Sequence, residues 1–129
     1  MKQVKIKLVA IFLLLLNSIP FVFAKSDWKE KDQFHEVMSQ TFHPVEEGNF
    51  KPIRARSEEM LTKALAWQKS SIPKEFKKQK DIQLQLDKLA MGVKSLRNKI
   101  QQGVNDDVIK ADLVALHDVF HEIVGLCKE

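Results

Sequence analysis

The sequence of 129 residues has one cysteine, no tyrosine, four glycines and four prolines. A single cysteine excludes a disulfide-stapled scaffold and any Cys-rich zinc or iron–sulfur site. So few glycines and prolines exclude collagen-like and low-complexity architectures. There is no Gly-rich phosphate loop, no Ser-His-Asp arrangement and no paired Glu-x-x-His set of the di-iron bundles, so no enzyme is expected. No run alternates apolar and polar residues with the period of a strand. The length holds one domain.

Charge of one sign is also scarce. Lys and Arg total 21 against 17 Asp and Glu, a formal net charge of +4. Most of that excess lies at the N-terminus, beside the one long apolar run. Lys2, Lys5 and Lys7 precede an unbroken apolar stretch from Leu8 to Leu16. Asn17, Ser18 and Pro20 then interrupt it, and Val22-Phe23-Ala24 fits a small-residue cleavage rule. Residues 1–24 therefore read as a secretory signal peptide cleaved after Ala24, which predicts a periplasmic or secreted protein. The run is too short for a spanning helix, so no membrane insertion is expected after processing. Residues 25–129 would form the folded domain. Their 105 residues carry 18 basic and 17 acidic side chains, a net charge of +1. That leaves no concentrated positive field of the kind nucleic-acid binding requires.

Four segments of this domain carry helical periodicity. The first runs from about Asp27 to Glu47, with Asp27 and Glu30 at capping-box spacing and Lys31, His35, Met38, Phe42 and Val45 as core positions. The second runs from about Pro52 to Ser70 on Ile53, Ser57, Met60, Ala64 and Trp67. The third ends near Gln102, with Ile82, Leu86, Leu89, Val93, Leu96 and Ile100 inward and Gly103 as its cap. The fourth spans about Asp106 to Cys127 on Ile109, Leu113, Leu116, Phe120, Ile123 and Cys127. One apolar face on each of four helices predicts an all-α, antiparallel up-down-up-down four-helix bundle. The turns fall at Gly48-Asn49, Ser70–Pro73 and Gly103–Asn105, and the Lys-rich Lys74–Lys80 stretch reads as a solvated loop or first turn. Met60 and Met91 read as core filler.

The chemistry concentrates in the first and last helices, which hold all four histidines: His35, His43, His117 and His121. In such a bundle these helices are antiparallel neighbours. Residues near 38 then stand level with 121, and residues near 42 level with 117. His117 and His121, four apart, project from one face and can share a metal ion. Asp118, Val119 and Phe120 separate them, so this is not the metalloprotease motif. His35 and Met38 stand three apart, and Met sulfur with imidazole suits copper or haem iron better than magnesium or calcium. His43, with Glu46 and Glu47 on its side, offers an outer ligand. Cys127 reads as a small buried hydrophobe, a soft ligand near His35, or an intermolecular disulfide partner.

With Met38 in His35-Glu36-Val37-Met38 and His121 in Val119-Phe120-His121-Glu122, the chain resembles the soluble periplasmic cytochrome b562 family. The Gln68–Lys74 turn also looks like that family's second connection. The resemblance implies an exported four-helix bundle with non-covalent haem b held by Met38 and His121, acting as an electron carrier. Covalent haem attachment is excluded, because it needs Cys-x-x-Cys-His. His35, His43 and His117 are additional to the family's ligands.

The leading expectation is a transition-metal ion (copper, zinc or nickel) held between the first and last helices. His117 and His121 would anchor it, and Met38 with His35 or His43 would complete it. The role would be metal handling or electron transfer with a redox or metal-transfer protein partner. Haem b on Met38 and His121 is the alternative. A third reading is a metal-free helical interaction module with Trp28 or Trp67 on an exposed docking face.

Overall fold

The computed structural model describes residues 28–129. The signal segment 1–24 and the predicted cap Asp27 lie outside the described residues. Four helices follow in order: α1 Lys29–Glu46, α2 Lys51–Lys69, α3 Gln79–Gln101 and α4 Asp106–Leu126. No strand forms among the described residues. Each helix packs on its sequence neighbours, α4 closes on α1, and the diagonal pairs do not approach. This is the all-α four-helix bundle that the periodicity predicts. The α1–α4 seam is the loosest of the four.

The connections follow from local chemistry. Gly48 (φ 84°) and Gly103 (φ 77°) take the left-handed conformation that lets a chain leave a helix and turn at once. Asn105 caps α4, its side-chain oxygen accepting from the Val108 N–H at 3.0 Å. Residues 70–78, which bear Pro73 and most of the Lys-rich stretch, join α2 to α3, and Lys74, Lys77, Lys78 and Lys80 all face solvent.

The inward faces of α2, α3 and α4 match the predicted stripes closely. Ile53, Ser57, Met60, Ala64 and Trp67 are all buried, as are Ile82 through Leu96 and Ile109 through Ile123 at the expected positions. Ile100 and Cys127 pack at the margin. On α1 the face is rotated. Phe34, Val37, Met38, Thr41, Phe42 and Val45 are buried, whereas Lys31 is half-buried and His35 exposed. Phe34 removes more apolar area from water than His35 can, and burying Lys31 would strand a charge. Thr41 is accommodated by donating its hydroxyl to the Val37 carbonyl at 2.8 Å.

Both tryptophans belong to the core, so neither forms a docking face. Trp28 and Trp67 are 3% and 0% exposed, and they meet edge to face at 5.6 Å. The Trp28 indole N–H donates to Ser70 Oγ (2.8 Å), and that hydroxyl donates to the Trp67 carbonyl (2.7 Å). The pair seals the end of the bundle where α1 begins and α2 ends. Met91, expected in the core, is instead 73% exposed, because Leu89, Ala90 and Val93 already fill the inner face of α3.

Two leucines of α3 separate burial from mere apolarity. Leu89 is completely enclosed and Leu84 is 64% exposed. Leu89→Ala should cost about 2–5 kcal/mol in urea unfolding, whereas Leu84→Ala should stay within about 0.5 kcal/mol of the parent protein.

Candidate metal site

The seam between α1 and α4 is filled by rings. The His117 imidazole lies flat on Phe42, with centroids 4.0 Å apart and planes 7° from parallel. The His35 imidazole lies in the same way on Phe120, at 5.0 Å and 4°. Each helix thus gives one imidazole to a phenylalanine of the other. The contacts also fix the register: 42 stands level with 117, and 35 with 120, as antiparallel neighbours require.

On the solvent side of this ladder, His117 and His121 face each other, their Nε2 atoms 3.2 Å apart and their rings nearly perpendicular. At the usual zinc–imidazole distance, two nitrogens of one tetrahedral centre lie about 3.3 Å apart. As it stands one Nε2–H donates to the other Nε2; with both rings in the Nδ1–H tautomer, the two nitrogens stand at the bite of a single ion. His117 is half-buried and His121 exposed.

The other predicted ligands do not join them. His43 is exposed, and its Nδ1 lies 3.2 Å from Glu46 Oε1. His35 is held against Phe120. Met38 is 0% exposed, deep in the core. Among the described residues, no group of three or more His, Cys, Asp or Glu is gathered as a metal cage. The arrangement is a two-imidazole edge open to water, not a closed structural site. Cys127 is a free thiol at the margin of the core, and burial raises its pKa above the ordinary thiol value.

Next to His121 the seam opens into a cavity of about 330 Å³ lined by Lys31, Asp32, His35, Phe120, His121, Val124 and Lys128. Met38 does not line it. A haem held between Met38 and His121 would need a slot reaching from this surface to a fully enclosed thioether. The aromatic ladder and the packed core fill that path. The residues as arranged do not fit haem.

The surroundings favour a cation. α1 carries two lysines against four acids, and α4 one lysine against five. α2 and α3 each carry five basic side chains against two acidic ones. The near-neutral total conceals this division, which puts Asp118 and Glu46 near His117, although Lys31 and Lys128 line the space beside His121. The signal was present in the sequence, but only a sum taken helix by helix exposes it.

Comparison with protein-family models, curated proteins and solved structures gives no match to this chain.

Burial against Phe42 holds the His117 pKa below the ordinary imidazole value. Repulsion from His121 and His43 adds to this, and Asp118 and Glu46 partly offset it. The unfolded chain titrates this group at about 6.5. As pH falls through that value towards the lower folded-state pKa, the unfolded chain takes up the proton first and the bundle loses stability. Urea midpoints should therefore drop as the pH falls below about 6.5, and His117→Phe, which keeps a ring on Phe42, should flatten the drop.

Proposed function

We propose that the chain is an exported four-helix-bundle protein that binds one borderline transition-metal ion, such as copper, zinc or nickel, on the α1–α4 seam for reversible metal handling. The observation that carries this reading is the 3.2 Å separation of His117 and His121 Nε2 on the acidic side of the bundle. Each imidazole must be neutral to donate its lone pair, and the depressed His117 pKa favours that state at neutral pH. Stacking on Phe42 restrains His117, so less ring motion is lost when the ion binds. His43 and Glu46 stand nearby as outer groups.

One exposed and one half-buried ligand, with open coordination positions, suit an ion that is taken up and passed on. Electron transfer calls for a geometry kept through both oxidation states, and nothing here encloses the ion in that way. A haem b carrier with Met38 and His121 as ligands is the less supported reading, given the enclosure of Met38.

Titration with copper(II), zinc(II) and nickel(II) should give one bound ion per chain. His117→Ala and His121→Ala should each weaken binding by roughly tenfold or more, and Met38→Leu should leave it unchanged. Affinity should decline with falling pH as the imidazoles protonate. Full retention of binding in both alanine variants would overturn the assignment. A strong Soret band after haem reconstitution, lost in Met38→Leu, would favour haem instead.

A further inference from the structure

Most of the positive charge of the domain is gathered away from the imidazole seam. Residues 51–101, which make α2, α3 and their connection, carry thirteen basic against five acidic side chains, a net charge of +8. The rest of residues 25–129 is left at −7. The three arginines of the basic half are already engaged: Arg54 with Asp106, Arg56 with Glu59 and Arg97 with Glu58, each at 2.8 Å. Its free charge is lysine. On α3, Lys80, Leu84, Lys88, Met91 and Ser95 follow at four- and three-residue spacing and so share one side of the helix. All five are exposed, and Lys94 is exposed beside Met91. Among the described residues, no carboxylate pairs with Lys80, Lys88 or Lys94. Asp87 is turned to α2, where it accepts from Gln68 Nε2 at 3.1 Å, and Asp81 is left as the one exposed acid of the helix. Leu84 and Met91, 64% and 73% exposed, are thus two large apolar side chains set among unpaired lysines.

Exposed aliphatic side chains ringed by lysine are the pattern of a helix that lies on an anionic lipid surface. Nucleic acid is better met by the forked guanidinium of arginine, and its phosphates offer nothing to Leu84 or Met91. No described helix is long and apolar enough to cross a membrane, so the contact is a surface one. We infer that the outer side of α3 rests on a membrane surface rich in anionic phospholipid. Lys80, Lys88 and Lys94 meet its phosphates, and Leu84 and Met91 enter the headgroup boundary. A shallow hollow beside Met91 adds the Ser95 hydroxyl and the Asn98 amide as further donors. Lysine suits this setting, because lipid phosphates diffuse and a flexible ammonium needs no fixed geometry. The same surface repels the acidic α1–α4 half, which therefore faces water. α3 stands diagonal to α1, so the contact leaves the imidazole pair uncovered. The inference goes beyond the metal reading and does not depend on it.

Vesicle co-sedimentation of the processed protein, residues 25–129, supplies the test. Binding to mixed phosphatidylglycerol–phosphatidylcholine vesicles should be at least about tenfold tighter than to phosphatidylcholine alone. It should fade as salt rises from about 50 mM to about 500 mM. Lys88→Gln with Lys94→Gln should weaken it about tenfold. Lys29→Gln with Lys110→Gln, which removes as much charge from α1 and α4, should leave it unchanged. Leu84→Gln with Met91→Gln should weaken vesicle binding about fivefold while leaving any binding to double-stranded DNA or polyglutamate as it was. All six substituted side chains are exposed, so each variant keeps the fold. Equal binding to the two kinds of vesicle, or equal loss in the two lysine pairs, overturns the inference. So does a Leu84, Met91 variant that holds the vesicles as tightly as the parent, since that marks a site for any polyanion, nucleic acid and acidic protein included.

Discussion

The stacking of two imidazoles on two phenylalanines across the α1–α4 seam governs the functional half of this bundle. The other three pairs of helices approach more closely. Here the backbones stand further apart, and flat rings fill the gap. His117 on Phe42 and His35 on Phe120 set the register of the seam and fix the plane of the His117 ring. Dispersion and the ring quadrupole hold these pairs without needing either imidazole to be charged. The same stacking desolvates His117 and so favours its neutral form. One packing choice therefore serves the seam, the orientation of the nitrogen and its readiness to accept a metal ion.

Much of the fold is legible in the residues. The stripes of α2, α3 and α4 follow the helical period because leucine, isoleucine and valine have no better place than the interior. α1 is harder to read because it offers two overlapping stripes. One runs through Lys31, His35 and Met38, the other through Phe34, Val37 and Met38. Periodicity alone does not distinguish them. The area of Phe34 and the charge of Lys31 do, and they turn His35 outward. A similar shortage of inward positions puts Met91 in solvent. Trp28 and Trp67 go the other way: large rings close the end of a short bundle more effectively than they serve as exposed contacts.

The candidate site was legible in part. Antiparallel neighbours and the four-residue spacing of His117 and His121 follow from the sequence. The enclosure of Met38 does not, because a methionine on an inward stripe fills a core as readily as it ligates a metal. The cavity beside His121 was not readable either. Its lining comes from the start of α1 and the end of α4, and a gap between side chains of two distant segments leaves no mark in the order of residues. His43 illustrates a further limit, since its tie to Glu46 depends on which way an exposed ring rotates.

The division of charge among the helices has a consequence for encounter. With acidic side chains on α1 and α4 and basic ones on α2 and α3, the molecule is polarised across its width like a charged capacitor, though its net charge is small. A cation drifting nearby is drawn to one face, and an anionic surface attracts the opposite one. Dissolved salt shortens the reach of this field. The protein therefore has a preferred front in dilute solution, and that front becomes less pronounced as ionic strength rises.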